Sequence, residues 1–131
     1  MHITLEADYA VRIVDFLARE NKRIDAKNIS EQTGVTLRFA LKILRKLVSS
    51  GIVRSFKGTQ GGYELAKKSA EISLMDVIET VEGKYILSKC LSDDYDCNRG
   101  MSGCCRYRCI FNEISASVEK KLRTYTFDMF T

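Results

Sequence analysis

The sequence lacks several features that mark membrane, secreted and catalytic proteins. No apolar run approaches the roughly 20 residues that a membrane-spanning helix needs. The N-terminus lacks the basic, apolar and small-residue regions of a signal peptide. The only histidine is His2, and no nucleotide or flavin fingerprint is present. These absences predict a cytosolic protein without a membrane partner, and they argue against an enzyme that acts on a small-molecule substrate.

Charge is unevenly distributed along the chain, whose 131 residues are the length of one domain. Residues 1–70 carry 13 Lys and Arg against 7 Asp and Glu, whereas residues 71–131 carry 8 against 10. An excess of charge is often only a solvated face, so the charge distribution needs support from the predicted secondary structure. Together with the helices and hairpin predicted below, the basic charge indicates that a polyanion would bind the N-terminal part.

Apolar periodicity in the first fifty residues predicts three helices. The first covers residues 5–20. The second covers residues 26–33, with Asp25 as its N-cap and Gly34 at its end, where a tight turn with positive φ favours glycine. The third begins after its cap Thr36 and runs to about Ser49. Two helices joined by a glycine turn are typical of a helix-turn-helix.

The third helix is predicted to have an apolar face and a basic face. The apolar positions are Phe39, Ala40, Ile43, Leu44, Leu47 and Val48. Arg38, Lys42 and Arg45 follow the opposite stripe. Such a helix fits the major groove of B-form DNA, where arginine can pair with guanine, and the amide groups after Thr36 can bind a phosphate. The alternative is an ordinary solvent-exposed charged face.

A β-hairpin is predicted after this helix, with strands at residues 52–56 and 63–66 and a glycine-rich loop between them. We call this hairpin the wing. Lys57, Gly58 and Gln60 in its loop are candidates to enter the adjacent minor groove of DNA. A nucleotide phosphate site is not indicated, because no Gly-Lys-Ser/Thr sequence follows the glycines and no helix begins there.

The rest of the chain is predicted to contain two helices separated by a surface loop. Ser73 and Asp76 form a capping box for a fourth helix, which ends at Gly83. A last helix runs from Cys109 to about Tyr125 with a long apolar stripe: Ile110, Ile114, Val118, Leu122 and Tyr125. This stripe either packs on its own domain or, as we predict, pairs with a second copy. A homodimer could bind a palindromic operator in double-stranded DNA.

The predicted fold class is therefore mostly α with a small β-hairpin. Residues 1–83 form a winged helix-turn-helix DNA-binding domain, and residues 84–108 form a cysteine-rich sensor loop. Residues 109–131 form a long dimerisation helix and a tail.

All five cysteines lie between residues 90 and 109, and their number is odd. In a cytosolic chain this cluster indicates metal binding or thiol chemistry before structural disulfides. The wide spacing of Cys90, Cys97 and Cys105 suits a bulky iron–sulfur cluster better than zinc, whose ligands commonly lie two to four residues apart. A metal-free thiol–disulfide switch that uses Cys104, Cys105 or Cys109 remains open.

Several segments carry a resemblance to a known family. They are residues 6–12, the helix of residues 37–50, residues 51–55, the wing sequence GTQGGYELA at residues 58–66, and the ending LRTYTFDM at residues 122–129. Over nearly the whole chain, the sequence resembles the winged-helix regulators that include IscR, NsrR and CymR. The resemblance implies a dimeric transcription factor, often a repressor.

The same resemblance implies three cluster ligands, which match Cys90, Cys97 and Cys105 by position. The spacings here are a residue or two longer than in the IscR pattern. The histidine that the family places three residues after the last cysteine is Arg108, which cannot serve as a ligand. Candidates for a fourth ligand are Cys109, Cys104 and Asp8. The cluster could be 2Fe–2S or 4Fe–4S, and it could be lost from a protein prepared in air.

Overall fold

A computed structural model describes residues 2–100 and 105–130 of the chain. Within these ranges it contains five α-helices and one two-stranded antiparallel sheet. Their bounds are α1 (Leu5–Glu20), α2 (Ala26–Thr33), α3 (Leu37–Ser49), β1 (Val53–Phe56), β2 (Gly62–Leu65), α4 (Leu74–Glu82) and α5 (Arg106–Arg123). Short 3₁₀ helices lie at Ser69–Glu71, Lys89–Leu91 and Phe127–Phe130. Among these helices none is both long and apolar enough to cross a membrane. The mostly helical fold class with a hairpin is confirmed.

Local capping explains where the N-terminal helices begin and end. The Thr36 hydroxyl accepts a hydrogen bond from the Phe39 amide (3.3 Å) and starts α3. Gly34, with φ of 73°, ends α2 in the left-handed conformation. Asp25 occupies the N-cap position of α2, but its side chain makes no capping hydrogen bond. The bounds of α1 and α2 match the predicted ones, and the predicted Ser73–Asp76 capping box is present at α4.

One hydrophobic core joins α1, α2, α3 and α4. The predicted apolar positions of α3 contact it, with Ile43, Leu44 and Leu47 fully buried and Phe39 and Val48 packed at its edge. The basic side chains of α3 consequently remain on the surface, which is the orientation that the periodicity predicted.

The hairpin follows α3 directly in the chain. The Ile52 amide, just before β1, donates a hydrogen bond to the Leu47 carbonyl of α3 (3.0 Å) and so fixes the start of the hairpin against the end of the helix. Its register pairs Val53 with Leu65 and Phe56 with Gly62. β1 is one residue shorter than its predicted span of residues 52–56, and β2 begins and ends one residue earlier than its predicted span of residues 63–66. A single antiparallel bridge from Ile24 to Tyr63 adds the loop after α1 to the edge of β2.

The last helix differs from its prediction. α5 begins at Arg106 rather than Cys109 and ends at Arg123, so Tyr125 lies beyond it. The sequence concealed this start because Arg106 and Arg108 are charged and only Tyr107 extends the apolar spacing in this segment. The residues of the predicted apolar stripe also differ in burial. Val118 and Leu122, toward the end of α5, are half-buried, whereas Ile110 and Ile114, nearer its start, are each 42% exposed.

The segment after α5 returns to the N-terminal domain. Phe127, in the last 3₁₀ helix, is 1% exposed and belongs to the main core. Its amide donates to the Ile72 carbonyl (3.2 Å), and the Leu74 amide donates to the Tyr125 carbonyl (2.9 Å). The C-terminal end of α5 is thereby attached to the start of α4.

Candidate functional site

The outer face of α3 is an exposed basic stripe of Arg38, Lys42 and Arg45. The helix sequence LRFALKILRKLVS contains no acidic residue. Among the residues that the structure describes, none of the three takes part in an ion pair. The Lys42 ammonium lies 5.6 Å from the centre of the Phe39 ring. A fourth cation, Lys46, is instead bound by Glu6 of α1 (2.7 Å). The stripe therefore presents positive charge to solvent.

The N-terminus of α3 adds backbone donors to this surface. Thr36 uses its hydroxyl for the Phe39 amide and its carbonyl for the Ala40 amide (2.8 Å). The amide groups of the first helical turn have no acceptor within a helix, and the helix dipole favours an anion there. This geometry suits a phosphate oxygen beside Thr36.

The tip of the wing is a second exposed polar surface. Lys57, Gly58 and Gln60 are all exposed. Gly58 has φ of 93°, and its carbonyl accepts from the Gly61 amide (2.9 Å) to close a tight turn. A β-carbon on Gly61 would lie 2.6 Å from the Phe56 carbonyl oxygen, so glycine is required there. The result is a narrow tip of the shape that can enter a groove.

Three cysteines that are distant in sequence line one pocket of about 380 Å³. We call it the cysteine pocket. Its lining residues are Ser88, Cys90, Tyr95, Cys97, Arg99, Cys105, Tyr107, Arg108 and Phe111. The three predicted ligand residues thus lie together, between the loop that precedes α5 and the first turns of α5.

Hydrogen bonds connect the walls of the cysteine pocket. The Arg108 Nε donates to the Cys90 carbonyl (3.0 Å), so the arginine at the family's histidine position ties α5 to the loop. The Cys90 thiol donates to the Ser88 hydroxyl (3.2 Å). Arg99 and Arg108 also contribute two positively charged side chains to the walls of the pocket. At the loop surface, a hydrogen bond from Ser92 lowers the pKa of Asp94 below its ordinary value.

The candidate fourth ligands lie in different places. Cys109 is exposed on α5 and is not part of the pocket lining. Asp8 lies on α1, where it forms an ion pair with Arg12 (2.7 Å). Cys104 lies outside the described residues. Across residues 2–100 and 105–130, no three side chains of His, Cys, Asp or Glu surround the position of a single metal ion.

Sequence reasoning missed two sets of residues near these sites. Arg23 belongs to no motif of the sequence, yet it contacts the wing. Tyr95, Tyr107 and Phe111 were not singled out, although they line the cysteine pocket. The available signal for the second set was the position of these aromatic residues between the cysteines or just after the last of them.

Comparisons with known proteins agree with this architecture. A family model described as Rrf2, iron-dependent transcriptional regulator, matches residues 3–131. Protein rrf2 of Nitratidesulfovibrio vulgaris is 27% identical over 128 residues, covering 96% of this chain and 84% of that protein. The HTH-type transcriptional regulator NsrR of Shouchella clausii is 26% identical over 133 residues, covering 96% and 85%. Protein aau3 of Rhizobium meliloti is 30% identical over 99 residues, covering 74% of this chain but only 64% of that protein.

Two solved structures share the fold. IscR of T. potens superposes with a TM-score of 0.74 at 22% identity, covering 98% of this chain and 84% of that one. CymR of B. subtilis, described as the global cysteine regulator, superposes with a TM-score of 0.76 at 21% identity, covering 98% and 94%. The two structures support a winged helix-turn-helix, and the family match supports regulation of transcription rather than enzymatic activity. The chain belongs to the Rrf2 family of transcriptional regulators.

Proposed function

We propose that this regulator is a cytoplasmic homodimeric repressor that places α3 in the major groove and the wing in the adjacent minor groove of a palindromic operator. This geometry is supported by two exposed surfaces, which lie on α3 and on the hairpin that follows α3 in the chain. The basic stripe and Thr36 lie on α3, and Lys57, Gly58 and Gln60 lie on the hairpin that follows it. In this proposal Arg38, Lys42 and Arg45 contact bases or phosphates, and the wing tip contacts the minor-groove side.

We further propose that an iron–sulfur cluster held by Cys90, Cys97 and Cys105 changes the affinity for the operator. The observation that carries this proposal is the cysteine pocket, whose lining includes all three of these side chains. The donor set fits: thiolates are the usual ligands of such clusters, and Arg99 and Arg108 in the walls offset their negative charge. A cluster, when bound, would supply a centre sensitive to oxidation or nitric oxide.

The connections of α5 suggest how the pocket would influence DNA binding. Cys105 is the N-cap of α5, so the position of its sulfur and the start of the helix are linked. At the other end, Arg123 pairs with Asp76 (3.2 Å) and Glu79 (3.1 Å) of α4 and with Glu119 (3.0 Å). A change in the pocket would therefore tilt a helix that is attached to the DNA-binding domain.

The proposed dimer uses the exposed outer face of α5. Tyr107 is 58% exposed, and Ile110 and Ile114 are each 42% exposed along that face. Apolar groups that are regularly spaced on one exposed helix are typical of an interface. In such a dimer, a movement of α5 would alter the spacing of the two α3 helices.

The alternative is a metal-free thiol switch. Cys105 and Cys109 lie one helical turn apart, and the Cys109 amide donates to the Cys105 carbonyl (3.3 Å). Cys105 is the N-cap of α5, in an extended backbone conformation, whereas Cys109 is exposed on the first turn of the helix. The cysteine pocket includes Cys105 but not Cys109, which gives a switch between these two residues less support than the cluster.

The test of the cluster is purification without oxygen, followed by visible spectroscopy and iron and sulfide analysis. We expect a coloured protein whose iron and sulfide contents are proportional to each other. Cys97→Ala should abolish the visible absorption, because it removes a thiol from the pocket. Cys109→Ala serves as the matched control: absorption that survives it excludes Cys109 as a necessary ligand. An unchanged spectrum in Cys97→Ala would refute the ligand assignment, and a colourless wild-type protein would favour the thiol switch.

A further inference from the structure

Arg23, in the loop between α1 and α2, contacts both the strand and the tip of the wing. Its guanidinium carbon lies 3.4 Å from the centre of the Phe56 ring, at the last residue of β1. Its Nη1 donates to the Gln60 carbonyl in the tip (3.2 Å). One side chain thus joins the end of the strand to the turn that carries the proposed minor-groove contacts.

The backbone beside Arg23 is itself fixed to the hairpin. The Ile24 amide donates to the Tyr63 carbonyl (2.9 Å), and the Tyr63 amide donates back to the Ile24 carbonyl (2.8 Å). Ile24 is also buried in the main core. Arg23 therefore starts from a rigid position, and its reach to the tip does not depend on a mobile loop.

The neighbouring cation, Lys22, shows what an unconstrained side chain in this loop looks like. Its side chain is 69% exposed, and its nearest acidic partner is Glu20, at 3.9 Å. Arg23, by contrast, has one face of its guanidinium against an aromatic ring and a donor used by a carbonyl. Stacking together with a directed hydrogen bond is a property of arginine that lysine does not reproduce.

The tip that Arg23 holds would otherwise be costly to order. It contains Gly58 and Gly61, and glycine loses more conformational freedom than any other residue when it is fixed. A loop that is ordered before binding avoids that cost in the complex. A contact that fixes the tip therefore strengthens DNA binding without touching the DNA.

We propose that Arg23 is a positioning residue for the wing, which it holds in the conformation that enters the minor groove by stacking on Phe56 and bonding to Gln60. The proposal rests on the DNA-binding function proposed above. Its competitor is a direct contact between the exposed Arg23 guanidinium and a phosphate.

The experiment uses a duplex that the wild-type protein selects from a randomised pool. Fluorescence anisotropy then gives the affinity of wild type, Arg23→Ala, Arg23→Lys and the matched control Lys22→Ala, which removes the same charge from the same loop. We expect Arg23→Ala to weaken binding about fivefold, Arg23→Lys to restore little of it, and Lys22→Ala to change affinity by less than about twofold. Hydroxyl-radical footprints should lose protection only where the wing lies.

A second variant separates positioning from phosphate contact. Phe56→Leu keeps an apolar side chain but removes the ring, so positioning predicts a loss similar to that of Arg23→Ala and little further loss in the double variant. Two results would overturn the proposal in favour of phosphate contact. One is recovery of the affinity in Arg23→Lys. The other is an unchanged affinity in Phe56→Leu, together with the full effect of Arg23→Ala in the double variant. Failure of the wild-type protein to select any duplex would instead refute the DNA-binding function itself.

Discussion

At the residue scale, Gly62 is a position where the wing packs tightly against the loop after α1. Its φ is 151°, and a β-carbon there would lie 2.6 Å from the Ile24 carbonyl oxygen. That oxygen accepts the Tyr63 amide, so it cannot move without breaking the bridge to β2. Gly58 shares the positive φ, at 93°, but a β-carbon there would meet nothing within 4 Å. A comparison of alanine substitutions at the two glycines therefore separates the effect of steric overlap from the effect of the left-handed backbone conformation.

We expect Gly62→Ala to lower the free energy of unfolding by roughly 1–3 kcal/mol more than Gly58→Ala, because only the former forces atoms apart in a packed site. Urea unfolding followed by far-UV circular dichroism measures both variants. Equal losses would show that the loop of residues 21–25 is not fixed against β2.

Residue-scale contacts are also where sequence reasoning reached its limit. Exposure of Arg38, Lys42 and Arg45 followed from the helical period alone, because the buried positions of α3 fix the remaining face. The contact between Arg23 and Phe56 could not be predicted in that way. It joins residues 33 positions apart, and it exists only once the hairpin register has brought the tip beside the loop after α1.

At the element scale, helix ends with a side-chain or glycine signal were predictable, and ends without one were not. Thr36, Gly34 and the Ser73–Asp76 box mark their boundaries chemically. α5 begins after Cys105, which is not one of the residue types that usually cap a helix, and two of its first three residues are arginines. Sequence periodicity therefore placed the start of α5 three residues too late, at Cys109.

The attachment of the C-terminal segment gives a test of how α5 is held. Phe127 is buried in the core, whereas Phe130, in the same 3₁₀ helix, is 52% exposed. We expect Phe127→Ala to lower the free energy of unfolding by roughly 3–5 kcal/mol. The matched variant Phe130→Ala should change it by less than about 1 kcal/mol, as at most exposed sites. Chemical unfolding curves measure both, and similar values would contradict a C-terminal segment packed into the core.

At the scale of the whole molecule, the account needs two copies of the chain. The outer face of α5 leaves Ile110 and Ile114 exposed, and the cysteine pocket adjoins the first turns of this helix. We expect the wild-type protein to sediment as a dimer and Ile114→Glu to shift it to a monomer, because a buried, unpaired carboxylate is costly at an interface. Glu113→Gln, at the adjacent exposed position, should remain dimeric. A dimer that persists in Ile114→Glu would place the interface elsewhere.

The most direct test of the central claim is the affinity of one anaerobic preparation for a duplex that it has selected, measured before and after its iron is removed. The account predicts bound iron and sulfide at the start and an affinity that changes by at least about tenfold on removal, a coupling of ordinary size between two sites. The Cys97→Ala protein should bind with one affinity under both conditions. Iron-containing wild-type protein whose affinity stays the same after iron removal would contradict the proposal that the cysteine pocket controls DNA binding.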